Sequence, residues 1–156
     1  GYEAIKTVAA CIKKAGGRVW QSARIRSSYS PRASLGALWR QYLQYGYWKP
    51  FVMRKHGQPG SVRQLVPAAF VAAVLGFVAI SPFSAWPLAA LLVAYGSYVG
   101  AASVLAARAA GQWHTLPRLP VVIAAYHIAY GLGTWRGLWD VLRGRQPSAQ
   151  FARITR

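Results

Sequence analysis

Residues Gln64 to Ala107 read QLVPAAFVAAVLGFVAISPFSAWPLAALLVAYGSYVGAASVLAA, 44 positions without Lys, Arg, Asp, Glu or His in a chain of 19 basic and two acidic residues. The stretch divides at Ser81-Pro82-Phe83-Ser84 into two apolar runs, Leu65–Ile80 and Trp86–Ala107. As helices they would span roughly 24 Å and roughly 33 Å, against a hydrocarbon core of about 30 Å. The second run fits outright, and the first fits when it starts near Arg63 and ends in the turn. Lipid offers the backbone no hydrogen-bond partners, so both runs must be helical. The reading is a transmembrane helical hairpin over residues 64–107. A soluble hairpin would need a polar stripe facing water, and Tyr95, Ser97, Tyr98 and Ser103 are too few and too weakly polar to make one. Gly96, Gly100, Ala101 and Ser103 form a small-residue face, and Gly96-x-x-x-Gly100 has the spacing for close helix–helix association.

The net charge of +17 lies outside this stretch. Twelve Lys and Arg precede residue 64, Arg108 and Arg118 follow the second run, and five more come after residue 135. Basic clusters beside a membrane helix are attracted to anionic lipid, and the positive-inside rule places the N-terminal segment in the cytoplasm of a cell whose inner (plasma) membrane holds the hairpin. The uncharged Ser81–Ala85 turn then faces outward. The lone cysteine, Cys11, excludes an internal disulfide and provides no metal set. Glu3 and Asp140 are the two acids, so the chain by itself supplies neither a carboxylate dyad nor a cage for Mg²⁺. The bilayer, through its anionic inner leaflet, is the first expected partner.

Taken from the start, Ile5, Val8, Ala9, Ile12 and Ala15 recur at helical spacing, and Gly16-Gly17 closes that helix. Arg18-Val19-Trp20 and Arg24-Ile25-Arg26-Ser27-Ser28-Tyr29 alternate β-branched or aromatic residues with arginine, as short strands or extended edges do. A pair this small is not stable alone, so it reads as the margin of a larger sheet. Ser34 is a candidate N-cap for a helix over roughly Leu35–Lys55, with Leu35, Leu38, Trp39, Tyr42 and Tyr45 on one stripe. Its dense aromatics and basic residues suit a helix lying in the headgroup plane, and Pro50 is expected to kink or end it. Beyond the hairpin, Leu119–Trp135 is a third run of 17 residues free of Lys, Arg, Asp and Glu. A full crossing would put Arg136, Arg143, Arg145, Arg153 and Arg156 outside, whereas a re-entrant or interfacial helix would keep them inside. Both remain open, and the exit side of this third membrane-embedded helix is not fixed by the sequence.

Three segments, Lys14-Ala15-Gly16-Gly17-Arg18-Val19-Trp20, Pro31-Arg32-Ala33-Ser34-Leu35 and Arg40-Gln41-Tyr42-Leu43-Gln44-Tyr45-Gly46-Tyr47-Trp48-Lys49, stand in this order before the apolar hairpin. In order and spacing they resemble the C-terminal part of membrane-associated family 2 glycosyltransferases, the kind that build succinoglycan-like and other exopolysaccharides. The resemblance covers roughly residues 10–145, and the third segment is its most specific part. It implies a GT-A catalytic domain with an Asp-x-Asp motif holding a divalent metal on the sugar-nucleotide diphosphate, and a separate carboxylate base. Both would lie upstream, so no catalytic residue and no metal ligand is assigned here. No cofactor is expected to be bound by this chain, and Mg²⁺ or Mn²⁺ is expected for the complete enzyme. Family members often carry Gln-x-x-Arg-Trp on a helix lining the acceptor site. Gln44-Tyr45-Gly46-Tyr47-Trp48 looks like a variant of it, with Tyr47 where arginine would stand.

The fold expected is a mainly α membrane protein. Residues 1–33 form a small α/β remnant of a GT-A domain, 34–63 an interfacial amphipathic helix and basic loop, and 64–107 the transmembrane hairpin. A cytoplasmic loop at 108–118, a third membrane-embedded helix with an amphipathic tail at 119–145 and a frayed tail at 146–156 complete it. The acceptor-side residues expected are Gln41, Gln44, Tyr45, Trp48, Lys49 and Arg40. Sugar rings stack on Trp and Tyr, Gln hydrogen-bonds hydroxyls, and Lys or Arg neutralises a diphosphate. The same Trp39, Tyr45 and Trp48 would equally anchor a helix at the headgroups. The expected partners of the complete enzyme are a sugar nucleotide and a glycan or lipid-linked acceptor. A non-catalytic basic membrane adaptor, binding anionic lipid or an acidic partner, is the alternative, and nucleic acid is not an expected partner. His127, in an apolar run, is a functional candidate by location and equally a hydrogen-bonded structural residue; His56 and His114 read as loop residues.

Overall fold

A computed structural model of the chain describes residues 12, 15–18, 20, 34–57, 62–148 and 151. It divides into two compact units, Gly1–Pro31 and Arg32–Arg156. In the first, Ile12 is helical, Gly16 adopts a left-handed φ of 77° and the Gly17 N–H returns to the Ile12 carbonyl at 2.8 Å. That is the closure by which glycine ends a helix, at the position where the sequence places one. The extended edges expected at 18–20 and 24–29, on which the α/β remnant rests, lie outside the described residues apart from Arg18 and Trp20. Among the described residues there is no strand, and the architecture is all-helical.

Among its described residues the second unit contains four α-helices: α1 (Leu35–His56), α2 (Val66–Ile80), α3 (Trp86–Ala110) and α4 (Leu119–Leu142). Short 3₁₀ turns at Val62–Gln64 and Trp113–Thr115 precede α2 and α4. Local chemistry sets the boundaries. Ser34 Oγ accepts the Ala37 N–H at 3.2 Å to cap α1, and Gly57 closes it at a left-handed φ of 66°. Pro67, Pro87 and Pro120 each stand in a first helical turn, where a missing N–H costs nothing.

Pro50 neither ends nor shortens α1, which continues six residues beyond it. The helix forgoes the bond from position 50 to the Gly46 carbonyl, and tertiary packing around the buried Pro50 compensates. That packing also departs from expectation. The most extensive contact in the unit is α1 against α4, then α2 against α4, while the α2–α3 pair expected as a hairpin touches lightly. Glycine explains the difference. A Cβ on Gly46 would fall on the Tyr130 carbonyl oxygen, one on Gly133 on that of Leu43, and one on Gly137 on that of Tyr47. Backbone therefore lies against backbone, a closeness only glycine permits. At Gly96 and Gly100, by contrast, a Cβ would meet nothing within 4 Å. Of the small-residue face expected to pack α3, Ser103 is buried, while the Gly96-x-x-x-Gly100 pair meets no neighbour among the described residues.

The α1–α4 contacts also fix direction. Leu43 and Tyr47 face Gly133 and Gly137, Tyr42 faces Tyr126, and Arg54 reaches the Val141 carbonyl. Position rises on both helices together, so the two run parallel. The N-terminal end of α2 packs against α4: Trp135 Nε1 donates to the Ala68 carbonyl at 2.9 Å, and a Cβ on Gly131 would lie 2.6 Å from Val71 Cγ2. A ring cluster joins all four helices, with Phe70 stacked on Tyr95 at 4.2 Å, Tyr95 OH 3.1 Å from His127 Nδ1, and Tyr42 beside Tyr126 at 5.1 Å. His127 is thus a hydrogen-bonded member of the helix junction.

By length and composition α3, at 25 residues, can cross a membrane; α2 is apolar but only 15 residues long. Much of α3 is exposed, including Trp86, Val93 and Leu105.

Candidate functional site

The six expected acceptor-side residues lie on the middle of α1 and separate into distinct groups. Gln44 and Trp48, one helical turn apart, share a flank of the α1–α4 seam. Gln44 Nε2 donates to the Phe151 carbonyl at 2.7 Å and Trp48 Nε1 donates to the same oxygen at 2.8 Å. Gln41 and Tyr45 form a second pair further round the helix, with Gln41 Nε2 donating to Tyr45 OH at 2.8 Å. Tyr45 and Arg40 are exposed and Lys49 is half-buried. The structure therefore brings Gln44 and Trp48 onto one oxygen, and Arg40, one turn before Gln44 on the same helix, is a solvent-facing cation.

Tyr47, on the seam side of Gln44 and Trp48, points inward. It is fully buried, its ring stacks on Phe151 with centroids 4.1 Å apart, and its hydroxyl donates to Asp140 Oδ2 at 2.9 Å. The same hydroxyl accepts the Ser148 N–H at 3.0 Å. Burial raises the Tyr47 phenol above the ordinary tyrosine value, the nearby Asp140 carboxylate adds to the rise, and the Ser148 N–H opposes it. Tyr47 is therefore a neutral donor at physiological pH.

Asp140 is the one carboxylate among the described residues, and it is buried at 3% exposure. Arg136 Nε lies 3.8 Å from Oδ2 and Arg145 Nη1 lies 3.8 Å from Oδ1. Both guanidinium groups are more than half exposed, so solvent screens them and the hydrogen bond from Tyr47 is the stronger hold. No cluster of three His, Cys, Asp or Glu exists among the described residues. A carboxylate already held by a phenol and flanked by two arginines is a poor ligand for a divalent cation. The metal implied by the resemblance does not fit the side chains described here.

Sequence reasoning missed three participants. Tyr47 was noticed only as a departure from arginine, Asp140 was counted without a role, and residues 146–156 were expected to be frayed. Among the described residues of that tail, Ser148 and Phe151 bond to side chains of α1. The signal present in the sequence was Gly133-x-x-x-Gly137 directly ahead of the lone Asp140, a small face leading to a buried acid.

In comparison with known proteins, the chain is 31% identical over 140 residues to the Succinoglycan biosynthesis protein ExoA of Rhizobium meliloti (strain 1021). The match takes in 85% of this chain, and the chain spans 39% of that relative's length. No protein family model matches the chain. No solved structure matches it either.

Proposed function

We propose that this chain is the membrane-anchoring, acceptor-side segment of a glycosyltransferase that takes a sugar from a nucleotide-sugar donor during exopolysaccharide or lipid-linked glycan synthesis. The observation that carries the proposal is the similarity to a succinoglycan biosynthesis protein over most of this chain. The helix that contains the most family-like segment supports it, since α1 places an amide and an indole N–H side by side on one flank. Together they form a shelf with two donors beside aromatic faces, the chemistry by which a sugar is gripped through an oxygen and an apolar ring face.

In this reading α3 anchors the segment in the inner membrane, α2 completes a hairpin with it, and the basic residues ahead of α2 rest against the anionic inner leaflet. The metal and the base carboxylate are supplied by residues outside those described. A full-length protein carrying this segment, solubilised in detergent, should transfer label from a mixture of radiolabelled sugar nucleotides to membrane lipid or glycan. Gln44→Ala and Trp48→Ala should each lower that transfer through the acceptor KM. Robust transfer that neither substitution changes would defeat the acceptor-side assignment. No transfer at all, with salt-sensitive binding to anionic vesicles retained, would favour the basic adaptor instead.

A further inference from the structure

The two donors that would grip an acceptor are already satisfied by the chain itself. Gln44 Nε2 and Trp48 Nε1 converge on one oxygen, the Phe151 carbonyl, at 2.7 and 2.8 Å. The Phe151 ring lies at 4.1 Å and 19° on Tyr47, and the Ser148 N–H is tied to the Tyr47 hydroxyl at 3.0 Å. A carbonyl oxygen held by two N–H groups next to a ring stacked on an aromatic face reproduces the contacts a sugar would make, namely an oxygen acceptor beside a flat apolar face. We propose that Phe151 is an internal occupant of the shelf, an autoinhibitory strap that must leave before Gln44 and Trp48 can engage an acceptor.

The strap rests on the acceptor-side reading and adds its regulation. Among the described residues the attachment consists of two hydrogen bonds to the Phe151 carbonyl, one from the Ser148 N–H and one ring stack. Asp140 holds the Tyr47 hydroxyl from behind through a bond that does not involve Phe151. A ligand competing with an occupant binds more weakly by the fraction of time the shelf is free, and a strap seated about nine-tenths of the time would weaken it about tenfold.

The test uses the full-length protein in nanodiscs, a mixture of methyl glycosides of glucose, galactose and mannose as the probe, and saturation-transfer NMR as the readout. Phe151→Ala should increase saturation transfer several-fold and speed hydrogen exchange in the peptide containing Ser148. Ser148→Pro, which removes the amide held by Tyr47 without touching the shelf, should do the same should the first variant fold poorly. Adding Gln44→Ala or Trp48→Phe to either should abolish the gain. Saturation transfer that depends on Gln44 and Trp48 but is equal with and without Phe151 overturns the strap and leaves the acceptor-side reading standing. Saturation transfer that is absent throughout, or indifferent to Gln44 and Trp48, overturns the acceptor-side reading and the strap with it.

Discussion

Replacing Gly133 by alanine tests the seam on which the helical unit depends. The added methyl would land on the Leu43 carbonyl oxygen, 2.9 Å from the Leu43 carbonyl carbon and 3.0 Å from the Tyr47 nitrogen. Every one of those atoms is backbone, so no side chain can swing aside and α1 must move away from α4 by about 1 Å, a gap that forfeits up to about half of each dispersion contact along the seam. Overpacking of this kind costs about 1–3 kcal/mol. The displacement also stretches the Tyr47–Asp140 hydrogen bond beyond its present 2.9 Å, and losing a bond to a buried charge adds about 1.5–3 kcal/mol. Alanine's better helix propensity gives back about 1 kcal/mol. The net expectation is a loss of roughly 3 kcal/mol, dominated by the clash and the hydrogen bond. Gly96→Ala is the control: a Cβ there meets nothing within 4 Å, so propensity alone acts and stability holds or rises by up to about 1 kcal/mol. Helical melting followed by circular dichroism in detergent compares the two. A Gly133→Ala protein that melts with or above Gly96→Ala would refute the close-packed α1–α4 seam.

Further outcomes follow from the polar core of that seam. The Tyr47 phenol is raised above its ordinary value in the folded state, so the unfolded chain releases this proton first. Stability from Tyr47 should therefore be fully present below about pH 10 and decline as pH rises through the higher folded value; melting temperatures across that range, with Tyr47→Phe lacking this alkaline component, check the sign. Asp140→Ala, which strands a buried phenol, should cost about 1–3 kcal/mol, and Asp140→Asn should recover part of it because an amide oxygen still accepts from Tyr47. Equal losses for the two would place the role in the charge and not in the hydrogen bond.

The elements were largely legible and their partners were not. Ser34 and the glycine after His56 bound α1 as capping chemistry requires, and the uncharged runs with proline in their first turns became α2, α3 and α4. Apolarity, however, says that a residue avoids water without saying what it avoids water against. On α1 the sequence reading groups Leu35, Leu38, Trp39, Tyr42 and Tyr45 as one stripe suited to the headgroup plane; Leu35 and Tyr45 are exposed, while Gln44, Gly46, Tyr47, Pro50 and Phe51 are buried. Large aromatic rings dominate that grouping, whereas a seam at backbone distance selects small residues. Gly96-x-x-x-Gly100 and Gly133-x-x-x-Gly137 have identical spacing, and only the second finds a partner backbone. Gln44 and Trp48 were recognisable as a pair because one helical turn separates them. That Phe151 fills their reach was not legible, since nothing in a tail of mixed polarity marks where its carbonyl will sit.

The parallel direction of α1 and α4 bears on how the third apolar run meets the bilayer. Helices locked at backbone distance move as one body, so an α4 that crossed the hydrocarbon would carry α1 with it. Tyr42 stands level with Tyr126, which places the exposed Arg40 near the middle of such a crossing, where an arginine costs about 2.5–3.5 kcal/mol. The crossing would also separate the basic residues before α1 from Arg54, Lys55 and Arg63 after it, against the positive-inside bias. An α4 lying at the interface beside α1 avoids both costs and keeps Arg136, Arg143 and Arg145 with the other cations. Single cysteines at Gln112 and Gln146, in a Cys11→Ser background, flank α4 on exposed positions. A membrane-impermeant maleimide applied to vesicles of either orientation should modify both from the same side. Modification from opposite sides would mean that α4 crosses, and the α1–α4 seam could not then survive in the membrane as it stands here.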